Sequence, residues 1–127
     1  MISLQSLLFT ALSGFAGLSA LVGSRVYPTV APQEVAKPYV CWQEYALILA
    51  NNMSGSAGVG KGDNYKVQVT SWALTGTLAR DVDAQVQAAI VAATGFKGLH
   101  LDTRALDYEP DTKLHGYQSD FSIWILT

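Results

Sequence analysis

The sequence has little charge and a single cysteine. Only 14% of its 127 residues are charged, and ten acidic against eight basic side chains leave a net charge of −2. A protein that neutralises nucleic-acid phosphates needs a basic excess, so no direct contact with nucleic acid is expected. Hydrophobic residues make up 50% of the chain, which excludes a disordered protein and predicts that some apolar surface faces other protein.

Cysteine and histidine are too few for a metal site or a disulfide framework. Cys41 has no partner for an internal disulfide, and its position in the run Tyr39-Val40-Cys41-Trp42 is typical of a small buried hydrophobe rather than a catalytic thiol. His100 and His115, the only histidines, do not stand at ligand spacing from each other or from Cys41. We therefore expect no metal and no cofactor.

The first 24 residues contain no charged side chain at all. A signal peptide would need a basic start, and a membrane span would not be interrupted by so many Ser, Thr, Gln and Gly residues, so no membrane partner is expected. The apolar positions instead have helical spacing, at Leu4, Leu7, Leu8, Ala11 and Leu12. This pattern predicts an amphipathic helix that ends or kinks at Ser13-Gly14, followed by a short second one that stops at Gly23.

The rest of the chain predicts strands with one long helix among them. An extended arm with three prolines leads to a strand over residues 38–49, and residues 65–74 form its neighbour across a long Gly- and Ser-rich tip at 51–64. A helix starts at Thr75-Gly76-Thr77 and runs to Gly95, with Asp81 and Asp83 near its start, where the helix dipole favours negative charge. Two more strands follow, over residues 98–109 and 115–125. This order predicts one α+β domain over residues 1–127, with a mostly antiparallel sheet of about four strands and helices packed on one face.

The last strand alternates clearly between two faces. One face carries Tyr117, Ser119, Phe121, Ile123 and Ile125, and the other carries Gln118, Asp120, Ser122 and Trp124. The carboxylates on and near the last two strands stand among Arg104 and Lys113, and this mixture indicates a solvated or intersubunit salt-bridge surface rather than an acid–base catalytic pair. Each of the three tryptophans sits in a strand pattern and is interpreted as a core or interface anchor.

One segment resembles a phosphate-binding loop. Gly55 to Gly62 contains Gly60-Lys61 after an apolar strand, but a phosphate-binding loop has Ser or Thr after the lysine and then a helix. Here Gly62-Asp63-Asn64 leads into a strand. Nucleotide binding through Gly55–Lys61 is therefore kept only as an alternative to a hairpin tip.

Several junctions resemble the tail-completion, or tail-terminator, proteins of long-tailed bacteriophages. The resemblance starts with a helix end at Leu21-Val22-Gly23 that leads into Arg25-Val26-Tyr27-Pro28, and continues with Ala31-Pro32-Gln33 and Pro38-Tyr39-Val40. It then includes Val67-Gln68-Val69, Ala79-Arg80, Asp102, Tyr108 and the closing run from Asp120 to Trp124. It extends over nearly the whole chain through the order of the elements.

This resemblance implies a structural virion protein and not an enzyme. Related terminators form a ring, hexameric in those proteins, that caps the tail tube, ends its polymerisation and joins the tail to the head. The implied partners are other copies of the chain, the tail tube protein and a head-completion or connector protein. The implied location is the head-proximal end of the virion's tail, after assembly in the bacterial cytoplasm. Another head–tail connector or a minor tail component is the alternative within the same virion.

Six residues are predicted to take part in protein contacts on the basis of charge and expected exposure. Arg25, Arg80 and Asp81 are expected to pair across subunits, and the tip with Ser54, Lys61 and Asp63 is expected to contact the tube or a neighbouring subunit. No catalytic, cofactor-binding or metal-binding residue is predicted.

Overall fold

The structure is a computed structural model that describes residues 4–23, 25–28, 37–49, 62–106, 110 and 113–126, with side chains except at 46–49, 62, 63 and 126. Within these ranges the elements follow in the order α1, α2, β1, β2, β3, α3, β4, β5. The predicted α+β class is confirmed.

Two short helices with a sharp bend between them open the described chain. Helix α1 spans Leu4–Ser13 and buries Leu4, Leu8 and Leu12, as the spacing of four residues predicts. Helix α2 spans Ala16–Val22, and its axis is bent by 82° from that of α1. The backbone of Gly23, with φ of 60°, ends α2 in a conformation that glycine adopts without strain.

Helix α3 spans Gly76–Ala92 and begins where the sequence predicts. Thr75 is its N-cap, and the Thr75 Oγ1 accepts a hydrogen bond of 3.1 Å from the Leu78 N–H. The buried side of α3 includes Val82, Val86 and Ile90, which lie one turn apart. Asp83 is also buried on this helix, which the sequence did not predict.

Within the described residues the sheet has five strands, one more than predicted. In chain order they are β1 Val26–Pro28, β2 Tyr39–Leu49, β3 Gly62–Ala73, β4 Lys97–Ala105 and β5 His115–Leu126. Their order across the sheet is β1-β2-β3-β5-β4. All pairs are antiparallel except β1 with β2, which is parallel. The extra strand β1 has only three residues and lies at the edge, the position that its proline permits.

The predicted hairpin between β2 and β3 is confirmed at its base. The two strands pair as far as Leu49 with Asp63, so β3 starts three residues earlier than the sequence predicted. The remaining tip, residues 50–61, lies outside the described residues.

The core lies between the helices and one face of the sheet. The sheet contributes Val67, Val69, Phe121 and Ile123, all fully buried, and the helices contribute Leu8, Leu12, Leu18, Val82, Val86 and Ile90. Helices on one face of the sheet were predicted and are found. The opposite face of the sheet is called the open face below.

Candidate interaction surfaces

The open face of the sheet carries a charged cluster held by one arginine. Arg104 Nη1 lies 3.3 Å from Asp102 Oδ2 and 3.4 Å from Asp120 Oδ2, and Arg104 Nη2 donates a hydrogen bond to Gln118 Oε1. Gln118 Nε2 in turn donates to Thr70 Oγ1 on β3. Pairs this exposed contribute about 0–1 kcal/mol to stability, so the cluster is better suited to orienting a surface than to holding the fold.

Apolar side chains stand around this cluster. Tyr45 is 50% exposed, Leu99 59% and Trp124 40%. Tyr45 lies on the open face because alternation along β2 places it on the side opposite the buried Val40 and Trp42. The open face therefore combines aromatic and aliphatic surface with paired charges, a composition typical of protein interfaces.

The charges of this cluster shift the pKa of the Tyr45 hydroxyl. Burial raises the pKa of Tyr45 above its ordinary value, the Asp120 carboxylate raises this pKa further, and the Arg104 guanidinium lowers it. The folded protein therefore keeps the Tyr45 proton at a pH where the unfolded chain has begun to lose it. Any stability that this provides is present below pH 10 and decreases as the pH rises above that value.

Two substitutions should move the Tyr45 pKa in opposite directions. Asp120→Asn removes a negative charge and should lower this pKa, whereas Arg104→Gln removes a positive charge and should raise it. The pKa is measured as the tyrosinate absorbance during an alkaline titration, from which the titration of the matching variant with Tyr45→Phe is subtracted. Shifts of the same sign in both variants would contradict this arrangement of charges.

A second polar cluster is buried between α3 and the sheet. Ser119 Oγ donates to Asp83 Oδ1 at 2.6 Å, and Gln87 Nε2 donates to Asp83 Oδ2 at 2.8 Å. The only hydroxyl proton of Ser119 is donated to Asp83, so Ser119 Oγ accepts the hydrogen bond of 2.8 Å from Thr103 Oγ1. Thr103 then accepts from His100 Nε2 at 2.5 Å, which places the His100 proton on Nε2.

This chain of hydrogen bonds is structural. Ser119 is fully buried and Asp83 is 2% exposed, so no substrate in solution reaches the serine oxygen. The hydrogen bonds join α3 to β5 and β4. They also stabilise the fold, because a buried carboxylate without hydrogen-bond donors would destabilise it. Sequence reasoning missed this cluster, because Ser119 is separated from Asp83 by 36 residues and no local pattern relates them.

The third feature is a groove in the helix layer, between α1 and the C-terminal end of α3. Its volume is about 630 Å³. None of the described residues that line it is charged, and they include Leu7, Ala11, Phe15, Ala92, Thr94 and Phe96. Two apolar residues that neighbour the lining residues in the chain are exposed, Phe9 by 46% and Val91 by 65%. The helix layer thus presents an uncharged concave surface opposite the charged open face.

The six predicted interaction residues do not form one cluster. Arg25 contacts its own chain, since its Nε donates to the Pro38 carbonyl at 2.9 Å and its Nη2 to the Leu21 carbonyl at 3.3 Å. Arg80 and Asp81 are neighbouring, exposed residues near the start of α3. Asp63 lies on β3, paired with Leu49 and Ile125, and Ser54 and Lys61 lie outside the described residues. Their roles in contacts between subunits stay predictions.

In the parts of the chain that the structure describes, no group of three or more His, Cys, Asp or Glu side chains is arranged to hold a metal ion. No single described helix is long and apolar enough to cross a membrane. Helices α1 and α2 taken together have the length and composition of a span, but they are bent by 82°.

Comparison with known proteins adds a family and a fold. The family model of tail completion protein gp17 matches residues 6–126. Among solved structures, a chain from the virion of a native gene transfer agent (GTA) particle is similar, with a TM-score of 0.69. The match covers 97% of this chain and 94% of that one at 22% identity, which shows that the two share a fold. A search of curated proteins finds no match.

Proposed function

The chain belongs to the tail completion protein gp17 family, and from this premise we propose that it caps the finished tail tube as a ring. As a member of this family it is a structural protein of a phage-type virion and part of its tail. In the proposed role, the ring ends polymerisation of the tube protein and offers the head connector a surface to join. The family match over residues 6–126 is the observation that carries this proposal.

The geometry of the subunit supports a ring made by head-to-tail contacts. Such a ring needs two unlike patches on each subunit, one of which meets the other patch of the next copy. The described chain has two unlike surfaces, a charged and aromatic open face and an uncharged helix layer with a groove. The number six comes from related terminators and is part of the proposal.

The nucleotide-binding alternative does not fit the described backbone. Strand β3 begins at Gly62, immediately after Gly60-Lys61. A phosphate-binding loop would need the N-terminus of a helix at that point, because the free N–H groups of the helix hold the phosphates. Another connector of the same virion is the alternative that remains, and it differs from a terminator in what it does to a growing tube.

The proposal predicts a ring in solution or on the tube, and control of tube length. Light scattering coupled to size exclusion should give a mass six times that of the chain for a ring that forms in solution without tubes. Negative-stain microscopy should show a cap at one end of each tube. When the protein is added to polymerising tube protein, elongation should stop.

The controls separate the terminator from its alternative. A protein that binds finished tubes but leaves elongation unchanged would be a connector and would overturn termination. A monomer that ignores tubes under all these conditions would overturn the proposal as a whole.

A further inference from the structure

A cleft, distinct from the groove beside α3, opens where strand β1 ends beside β2. Its volume is about 460 Å³. The described residues that line it come from α1, β1, β2 and β3, and include Leu4, Gln5, Pro28, Trp42, Glu44 and Tyr65. Glu44 is the only charged residue among the described ones that line it, and it is exposed. The cleft therefore combines apolar walls with a single carboxylate.

Trp42 brings an unpaired hydrogen-bond donor to this cleft. Its side chain is only 5% exposed, and its Nε1 is buried without a hydrogen-bond acceptor in the part of the chain that the structure describes. A buried donor without an acceptor destabilises the subunit, and an acceptor supplied by a second molecule would remove this cost. Gln5 and Glu44 are exposed, so their side chains can turn aside and admit that acceptor. The cleft therefore selects a partner that carries a hydrogen-bond acceptor.

The charge of Glu44 decides which kind of acceptor fits. Glu44 would repel a second carboxylate, so an acidic group is a poor partner. A neutral carbonyl oxygen can accept from the Trp42 indole N–H, and peptide N–H groups near that carbonyl can donate to the Glu44 carboxylate. The apolar walls require an apolar side chain beside these groups. The cleft therefore fits an exposed, uncharged stretch of peptide with free main-chain groups and one apolar side chain.

One corner of the same chain has these properties. The large apolar side chains that the structure describes as exposed are Phe9, Tyr45, Leu74, Val91, Leu99, Leu101 and Trp124. Among them only Leu74 lies outside a helix or strand, and the edge strand β4, which carries two of the others, has three charged residues. The residues from Ala73 to Ala79 are uncharged. The N–H groups of Gly76 and Thr77, at the start of α3, have no acceptor within the helix.

This corner, defined as residues 74–77, lies far from the cleft of its own subunit. Trp42 pairs with Val69, and Leu74 follows Val69 by five residues, which is about 17 Å along the sheet at 3.3–3.4 Å per residue. Tyr65, which also lines the cleft, precedes Leu74 by nine residues, or about 30 Å. The corner can therefore enter the cleft of another copy but not its own.

We propose that the corner of each subunit enters the cleft of the neighbouring subunit, and that this contact closes the ring. The Trp42 indole N–H then donates to the Leu74 carbonyl oxygen of the neighbour. The Glu44 carboxylate accepts from the N–H groups at the start of the neighbour's α3, where the helix dipole favours a negative charge. The proposal rests on the function proposed above and adds the two patches that meet. Corner and cleft are unlike patches on one chain, as a head-to-tail ring requires.

A negative charge on the corner should separate the subunits. Leu74→Asp removes the apolar contact and brings a carboxylate close to Glu44 of the neighbour, so self-association should weaken by more than about tenfold. Leu74 is 58% exposed, so the fold should be kept. Leu99→Asp is the matched control, because Leu99 is 59% exposed, belongs to neither patch and should leave self-association unchanged. The readouts are the mass by light scattering over a range of concentrations and the thermal melting midpoint.

Replacement of Trp42 by 3-benzothienylalanine, which has sulfur in place of the indole N–H, tests the hydrogen bond itself. The dilute subunit should melt at an unchanged or higher temperature, since this N–H has no acceptor in the described subunit. Self-association should weaken about tenfold, because the Leu74 carbonyl of the neighbour loses its donor. The same replacement at Trp124, which belongs to neither patch, should leave self-association unchanged. Unchanged self-association of the Trp42 variant would overturn the proposal.

Disulfide trapping tests which copy supplies the corner. In a Cys41→Ser background, a variant with Gln5→Cys is mixed with a differently tagged variant with Leu74→Cys, and the assembled mixture is oxidised. Linked pairs with one chain of each kind are expected, whereas Val91→Cys, at a position that is 65% exposed, should give none in place of Leu74→Cys. A chain with both Gln5→Cys and Leu74→Cys should form a ladder of linked chains. A monomer closed by an internal disulfide would overturn the proposal.

The outcomes distinguish this contact from the proposed function. If wild-type protein forms rings, Leu74→Asp forms them equally well and no mixed disulfide pairs appear, the contact is wrong and the ring stands. If rings form only on tail tubes, the fraction of capped tube ends replaces the solution mass in each comparison. A wild-type protein that forms no ring with or without tubes would overturn the proposed function and this contact together.

Discussion

Replacing Phe121 with alanine should lower the free energy of unfolding by about 4 kcal/mol, within the usual range of 3–5 kcal/mol for a buried phenylalanine. Phe121 is fully buried near the middle of β5. It pairs with Val67 on one side and with His100 on the other, and its ring centroid lies 5.4 Å from that of His100. The side chains around Phe121 belong to both the sheet and the helices. These elements cannot move together far enough to fill the cavity that the substitution leaves.

Trp124 is the matched control for this substitution. It lies on the same strand, three residues further along, but faces the open side of the sheet and is 40% exposed. Trp124→Ala should cost less, about 2 kcal/mol in unfolding free energy, because part of the Trp124 side chain already lies in water and no enclosed cavity is left behind. Both values are measured by urea denaturation with a common slope. Equal losses in the two variants would contradict the assignment of the two faces of β5.

The two faces of β5 were predictable because their pattern is local. Alternation with a period of two put Ser119, Phe121 and Ile123 on one side, and all three are buried against the helices. The cap of α3 was predictable for the same reason, since Thr75 and Leu78 are three residues apart. Where neighbours in the sequence determine the structure, a single sequence was sufficient.

The features that the sequence did not reveal depend on distant pairs of residues. Strand β1 exists because Val26 pairs in parallel with Val40, and three residues give too short a pattern to detect. The groove depends on how α1 packs beside α3, which the bend of 82° after α1 makes possible.

The position of Asp83 is explained by a residue distant in the sequence and not by its place in the helix. Asp81 and Asp83 stand near the start of α3 in the sequence, where the helix dipole is expected to favour negative charge, but the first turn of α3 contains no acidic residue, so this explanation was wrong. In the structure Asp83 is instead buried and accepts hydrogen bonds from Ser119 and Gln87. Asp81, two residues earlier, remains exposed. The two aspartates are therefore expected to contribute differently to the stability of the fold, although they lie two residues apart on the same helix.

Asp83→Ala should accordingly lower the free energy of unfolding by about 3 kcal/mol, because the donors on Ser119 and Gln87 lose their acceptor inside the protein. Asp81→Ala, the control on the same helix, should change this free energy by less than about 0.5 kcal/mol, as is usual for an exposed residue. Denaturant titration of both variants measures the difference.

The Asp83 variant also tests how far the buried hydrogen bonds extend. Loss of the Asp83 carboxylate frees the Ser119 proton, so Thr103 no longer needs to donate to Ser119 and the tautomer of His100 is no longer fixed through Thr103. The proton on His100 Nε2, observed by nuclear magnetic resonance, should then exchange faster with water in Asp83→Ala than in the wild type. An unchanged exchange rate, with the loss of stability as expected, would limit the role of Asp83 to its two direct hydrogen bonds.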